Sequence, residues 1–331
     1  MKAAHPPTLR VTTERWPLAG AFTISRGSKT EAEVVVAEVS DGVYRGRGEC
    51  VPYGRYGETA EGVSAAIAAM APQIARGLDR AELQTVLPPG AARNALDCAL
   101  WDLAAKRAGR PVHELAGVAP PAACVTAYTI SLALPNVMAE AAAKAAERLL
   151  LKVKLGQPGD PARIRAVRAA APRAELIVDA NEGWSAENLA ENLAACAEAG
   201  VTLVEQPLPA ADDAALAAFP HPIPVCADES VHDRASLAQL AGKYDAVNVK
   251  LDKTGGLTEA LALAQDAERQ GFGLMVGCMI STSLAIAPAL LVAARARVVD
   301  LDGALLLARD RPHGLRYDAS RVHPAEPELW G

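Results

Sequence analysis

Leu151-Lys152-Val153-Lys154-Leu155-Gly156 sets two lysines at alternate positions of an otherwise apolar run. A strand turns successive side chains to opposite faces, so Lys152 and Lys154 point the same way. Apolar runs ending in charge recur downstream: Val178-Asp179-Ala180-Asn181, Val204-Glu205-Gln206-Pro207, Ala227-Asp228-Glu229-Ser230, Val249-Lys250-Leu251-Asp252 and Asp300-Leu301-Asp302-Gly303. From Lys154 the steps to Asp179, Glu205, Asp228 and Lys250 are 25, 26, 23 and 22 residues, each the length of one strand-plus-helix unit. Strands are expected to begin near Ala127, Leu151, Glu175, Leu203, Val225, Ala246, Gly273 and Val298, separated by alanine-rich amphipathic helices. Such alternation predicts an α/β fold, a closed parallel (β/α) barrel. Barrels carry their chemistry on the face formed by the C-terminal ends of their strands.

Upstream the period changes. Val34 to Val39 is a β-branched run, Asp41-Gly42 makes a turn, and Tyr44 to Cys50 continues as a strand. Residues 59–75 and 91–108 read as helices, the second stopped by Gly109-Arg110-Pro111. Residues 1–120 are therefore expected to form an α+β capping domain, with a boundary at Pro120-Pro121. Residues 121–303 form the barrel, and 304–331, which lack a strong period, return to the cap.

The 331 residues are 51% hydrophobic, enough for a large core, and the net charge of −6 comes from interspersed signs. No basic stripe offers itself to nucleic acid. Met1 to Arg10 has no apolar core of signal-peptide length. The longest apolar run, Leu284 to Ala294, is broken by Pro288 and is too short to span a bilayer. Six cysteines without a Cys-x-x-Cys pair read as buried thiols in a reducing cytoplasm.

Asp179, Glu205 and Asp228 stand on three adjacent expected strands. One carboxylate at a strand end reads most simply as a helix cap. Three in register repel one another unless a cation lies between them. With oxygen donors and no histidine, a hard cation such as Mg²⁺ fits. Lys152 and Lys154 both reach the mouth, where mutual repulsion and the cation are expected to depress the pKa of at least one. Lys250, on the sixth strand, faces Lys154 across the mouth. One lysine would take a proton from a carbon next to a carboxylate and the other return one to the opposite face, as in a racemase or epimerase. Asp300 and Asp302 share a face across from the metal and are expected to select an ammonium.

These motifs resemble the enolase superfamily in its muconate-lactonizing subgroup, most closely the dipeptide epimerases of the L-Ala-D/L-Glu type. The resemblance takes in Gly48-Glu49-Cys50-Val51-Pro52-Tyr53, Ala92-Arg93-Asn94-Ala95-Leu96-Asp97, the Lys-x-Lys pair, the three carboxylates, the Asn248 to Gly256 stretch, Gly277-Cys278-Met279 and Asp300-Leu301-Asp302. It implies an enolase-type barrel with Lys154 and Lys250 as acid/base residues and Asp179, Glu205 and Asp228 as Mg²⁺ ligands. It further implies that Lys152 holds the substrate carboxylate, that Asp300 and Asp302 bind the dipeptide ammonium, and that Thr129, Lys29, Cys278 and Met279 also contact substrate. Lys29 stands where family members specific for alanyl-glutamate have an arginine, keeping the charge without the bidentate fork. The expected activity is conversion of L-Ala-L-Glu to L-Ala-D-Glu in cytoplasmic peptidoglycan recycling. The partner is a small dipeptide, neither nucleic acid nor membrane, and a homo-oligomer is left open. The rivals are an N-acylamino acid racemase, an o-succinylbenzoate synthase, a cycloisomerase, or a barrel that binds without turnover.

Overall fold

Three antiparallel strands open the chain: β1 (Thr8–Ile24), β2 (Gly27–Ser40) and β3 (Arg45–Cys50), with β2 in the centre. The structure, a computed structural model, describes residues 6–331, so the first five residues of the expected cap, and of the Met1–Arg10 segment, lie outside the described residues. The β-branched run of β2 is buried from Val34 to Ala37 and at Val39, as suits a strand paired on both edges. The β1–β2 register shifts between Pro17 and Phe22. Pro17 has no N–H to give the ladder, and such residues mark irregular pairing. Leu18, inside this irregular stretch, bridges to Leu307 near the end of the chain.

Helices α1 (Ala60–Ala68), α2 (Ala71–Ala75), α3 (Arg80–Val86), α4 (Ala91–Ala108) and α5 (Val112–Ala116) complete the cap. The single helix expected over 59–75 is thus two. Pro72 lacks an N–H and its ring would strike the carbonyl of Ala68, so it starts a new helix instead of continuing the old one. Helix α4 ends at Gly109, whose φ of 61° is the left-handed stop read from the sequence. It packs against β3 at very short range. A Cβ at Gly46 would lie 2.1 Å from Ala99 O, and one at Gly48 would lie 2.1 Å from Ala95 O.

The remainder runs β4 (Cys124–Val125), β5 (Tyr128–Ile130), α6 (Pro135–Lys144), β6 (Leu150–Lys154), α7 (Asp160–Ala170), β7 (Glu175–Asp179), α8 (Ala186–Glu198), β8 (Val201–Glu205), β9 (Val225–Ala227), β10 (Ala246–Val249), α9 (Leu251–Thr254), α10 (Leu257–Arg269), β11 (Gly273–Gly277), α11 (Ser283–Ala293), β12 (Val298–Asp300) and β13 (Arg321–Val322). Strands β5 to β12 form one parallel sheet of eight in sequence order. Ala127 N–H donates to Val299 O at 2.8 Å, joining the first strand to the last. The expected alternation fails twice. The β8–β9 and β9–β10 connections hold only 3-10 turns, Ala210–Asp212, Ala214–Ala218 and Arg234–Gln239. Pro207, Pro209, Pro220, Pro222 and Pro224 hem in the first of these, leaving no room for several α-turns.

Inside the barrel, Ala127, Leu150, Ile177, Leu203, Cys226, Ala246, Met275 and Val298 form a separate apolar cluster with one residue from each barrel strand or its immediate approach. This plug makes the barrel a packed core and fixes which face of every strand looks inward. Among the described residues no helix is long and apolar enough to cross a membrane. The final residues hold the cap to the rest: Trp330 Nε1 donates to Cys98 O at 3.1 Å, and Gly331 N–H donates to Asp102 Oδ1 at 2.8 Å.

The β3–α4 contact yields a stability prediction. Gly46→Ala forces the helix off the strand and should cost about 1–3 kcal/mol, the usual penalty of overpacking. Gly20→Ala meets nothing within 4 Å and should leave the urea midpoint where it is. Equal midpoints for both variants would show that α4 does not rest on β3 in solution.

Candidate active site

Two residues beyond the plug, the same inward face of each strand carries Thr129, Lys152, Asp179, Glu205, Asp228, Asn248, Gly277 and Asp300. Two further on stand Lys154, Asn181, Lys250, Met279 and Asp302. The strand period alone therefore lifts one ring of side chains from apolar to charged. The structure brings the predicted residues together here, in sheet order Lys154, Asp179, Glu205, Asp228, Lys250.

Lys152 Nζ sits 2.6 Å from Glu205 Oε2, 2.7 Å from Asp300 Oδ2 and 3.2 Å from Asp179 Oδ2. Lys154 Nζ donates to Asp179 Oδ2 at 2.6 Å, and Lys250 Nζ to Asp228 Oδ2 at 2.6 Å. Asp300 is thus drawn into the central cluster by Lys152 and does not stand free beside Asp302. Asp302 accepts the Thr129 backbone N–H at 2.7 Å.

Mutual repulsion together with a bound cation was expected to depress the pKa of Lys152 or Lys154; without that cation the carboxylates decide the state of Lys152. Burial does pull Lys152 down, but Asp300, Glu205 and Asp179 outweigh it and hold the ammonium well above the usual lysine range. Lys250 is likewise raised, with Asp228 and Glu205 overcoming its burial. On the acid side, burial and then the charge of Asp179 push Glu205 up. Burial and then Asp300 push Asp302 up to about 7.

Among the described residues no three His, Cys, Asp or Glu side chains are already drawn in around a common point as a metal cluster. Each carboxylate of the triad leans on an ammonium instead. The donor set nonetheless fits a hard cation: it is all oxygen, wholly buried, and adjacent to Asn248, whose Nδ2 donates to Glu205 Oε1 at 2.7 Å. Glu205 Oε2 lies close to Lys152 Nζ but off the hydrogen-bonding direction, and it is buried without a hydrogen-bond partner.

A cavity of about 630 Å³ opens above this cluster, between the β1–β2 hairpin and the barrel mouth. Lys154, Lys250, Asp228, Lys29, Cys278 and Met279 line it. Lys152, Asp179, Glu205, Asp300, Asp302 and Thr129 are buried outside its lining. Lys29 stands 5.6 Å over the Tyr53 ring. Arg26, at the hairpin tip, is held by the protein itself: its guanidinium contacts Glu229 at 2.6 Å, Tyr53 OH at 2.9 Å, and Glu182 at 3.1 Å.

Sequence reasoning missed several residues. Lys253 is buried and donates to Asp228 Oδ1 at 2.5 Å; it stands one helical turn after Lys250, a spacing that could have flagged it. Asn248 and Gly277 follow from the two-residue period once the plug is known. Glu229 carried no signal of its own, because its partner Arg26 lies 203 residues away in sequence.

Residues 7–117 match the mandelate racemase/muconate lactonizing enzyme N-terminal domain, and residues 137–323 the enolase C-terminal domain-like family. The chain belongs to the enolase superfamily. It is 51% identical over 318 residues to the L-Ala-D/L-Glu epimerase of Escherichia coli, covering 96% of this chain and 99% of that one. It is 45% identical over 300 residues to an N-acetyl-D-glutamate racemase from a Pseudoalteromonas species, covering 90% and 95%. A crystal structure of an enolase family member from Agrobacterium tumefaciens, with homology to dipeptide epimerases and with sodium and L-Ala-L-Glu bound, superposes with a TM-score of 0.97. It shares 58% identity over 98% of this chain and 100% of the other.

Gly277 is where this superfamily site can be probed without touching a charge. A Cβ there would lie 2.8 Å from Asn248 Oδ1 and 3.0 Å from Lys250 Cε. Gly277→Ala should displace Lys250 and lower turnover by about tenfold or more, with an unchanged circular dichroism spectrum. Wild-type turnover in that variant would show that the position of Lys250 does not matter.

Proposed function

We propose that the protein is a dipeptide epimerase that converts L-Ala-L-Glu to L-Ala-D-Glu by moving the α-proton of the second residue. The observation that carries this reading is the pair Lys154, at the end of β6, and Lys250, directly after β10, which line one cavity on either side of the carboxylate triad. We infer that Asp179, Glu205 and Asp228 hold Mg²⁺, with Lys152 beside the substrate carboxylate. The cation supplies fixed positive charge where negative charge develops on that carboxylate.

The chain's own residues do the rest. One lysine, as the amine, takes the α-proton from Cα onto its Nζ. The other, as the ammonium, gives a proton from its Nζ to the opposite face of the same carbon. Configuration inverts, and the charged and neutral lysines exchange places, so the enzyme is left ready for the reverse reaction. Asp302 receives the substrate ammonium, with Asp300 behind it, and Cys278 and Met279 form the cavity wall. Thr129 contacts the dipeptide through its place beside Asp302. Lys29 meets the acidic second side chain. On this reading the described residues up to 120 cap the site, 121–303 carry the chemistry, and 304–331 return to the cap. The free thiols of the six cysteines agree with a cytoplasmic reaction serving peptidoglycan recycling.

The likeness to an N-acetyl-D-glutamate racemase favours one rival, an N-acylamino acid racemase. Asp302 separates the two readings, because an N-acyl group brings no cation to a buried carboxylate. In D₂O, L-Ala-L-Glu should take deuterium at the glutamate α-carbon and yield the D-epimer. N-acetyl-L-glutamate should react with kcat/KM lower by about tenfold or more. A higher kcat/KM on the N-acetyl compound would move the assignment to the racemases.

The cation has its own prediction. Treatment with a chelator should abolish epimerisation, and Mg²⁺ should restore it better than Zn²⁺, which prefers nitrogen and sulfur donors. Full activity after exhaustive chelation would refute the role given to the triad.

A further inference from the structure

A second cavity, of about 410 Å³, lies between α6 and the turn that follows β12. Its origin is topological. In a complete (β/α) barrel a helix follows the last strand, but here β12 leads only into the 3-10 turn Gly303–Leu306. The space beside α6 is left open, and the irregular stretch of β1 covers it with Leu18 and Phe22.

The lining has one sign of charge. Leu18, Phe22, Ile130 and Leu306 give apolar walls, and Lys144 and Arg148 supply two cations, while no aspartate or glutamate takes part. The Arg148 guanidinium stacks 4.0 Å over the Tyr128 ring. Its Nη1 is buried and makes no hydrogen bond. Among the described residues neither Arg148 nor Lys144 forms an ion pair, and the neighbouring Glu147 is spent on Arg173 at 2.8 Å. A buried guanidinium N–H without an acceptor is costly, and arginine's planar fork matches a carboxylate.

We propose that this cavity is a second ligand site, taking a monocarboxylate on a short apolar chain. The apolar walls fit the chain, Arg148 and Lys144 fit the carboxylate, and the lack of any acid in the lining discriminates against ligands that also carry an ammonium. That separates it from the catalytic cavity, whose walls hold both signs of charge. The two cavities share Phe22, whose ring lies 5.8 Å from Lys154 Nζ, and Thr129, whose N–H donates to Asp302, lines the second cavity but not the first.

Calorimetric titration of the full chain tests this, with octanoate, octylammonium and octanol as probes, in the presence of saturating L-Ala-L-Glu. Octanoate should bind, and the other two should bind at least about tenfold more weakly. Arg148→Gln and, independently, Ala141→Phe, which fills the cavity from α6, should each weaken octanoate by about tenfold. Both variants should keep the wild-type thermal midpoint and the wild-type rate on the dipeptide. Three results would overturn the proposal: no octanoate binding, undiminished binding in both variants, or displacement of octanoate by the dipeptide. A change of oligomeric state in Ala141→Phe, read by light scattering, would also overturn it and mark the cavity as a contact between copies.

Discussion

The mouth of the barrel confines acidic and basic side chains where none can be left alone. Lys152 touches Glu205, Asp300 and Asp179, and Asp228 is shared by Lys250 and Lys253. Away from water each charge is worth several times its value at the surface, and removing one partner strands the other. Much around the cluster follows from this need for balance. Thr129, Asn248 and Gly277 are the uncharged members of the ring, and a side chain at Gly277 would press on Lys250. Gln206 carries the balance outward, with Oε1 accepting Asp228 N–H at 2.8 Å and Nε2 donating to Tyr244 OH at 2.9 Å.

The cap makes that confinement effective. Its hairpin tip sends Arg26 onto Glu229, and Arg55 holds Glu182 at 2.7 Å, so two cap arginines close over the strand ends. A second anchor joins the cap to the C-terminal segment. Glu49 on β3 accepts the Thr282 N–H at 2.8 Å and pairs with Arg311 at 2.7 Å, and Arg311 also reaches Glu14 on β1 at 2.7 Å. Thr282 caps α11 just after the Cys278–Met279 cavity wall, so the cap, the C-terminal segment and that wall meet at one buried carboxylate. Closing a polar site away from water strengthens every interaction in it.

Much of this was legible in the sequence because strand length and barrel repeat are local properties. The observed strands start at Tyr128, Leu150, Glu175, Val201, Val225, Ala246, Gly273 and Val298, within two residues of their expected starts. The charge register along 154, 179, 205, 228 and 250 needed only the repeat length. The illegible parts were contacts across the chain. The neighbourhood of Lys152 and Lys154 can be seen in one strand, whereas the pairing of Lys152 with Asp300, 148 residues on, cannot. The proline fence around 207–224 shortened a helix that alanine content alone suggested. Arg26 gave no sign of its partner, because its engagement with Glu229, 203 residues away, depends on how the cap sits on the barrel.

The central claim is that Lys154 and Lys250 serve opposite faces of one carbon. Single-turnover solvent deuterium exchange into each epimer separately, with Lys154→Ala and Lys250→Ala, tests it most directly. The account predicts that neither variant interconverts the epimers, and that each exchanges the α-proton of one epimer only, the two variants choosing opposite ones. Exchange of both epimers by either variant, or variants that lose affinity while keeping the wild-type turnover number, would contradict it.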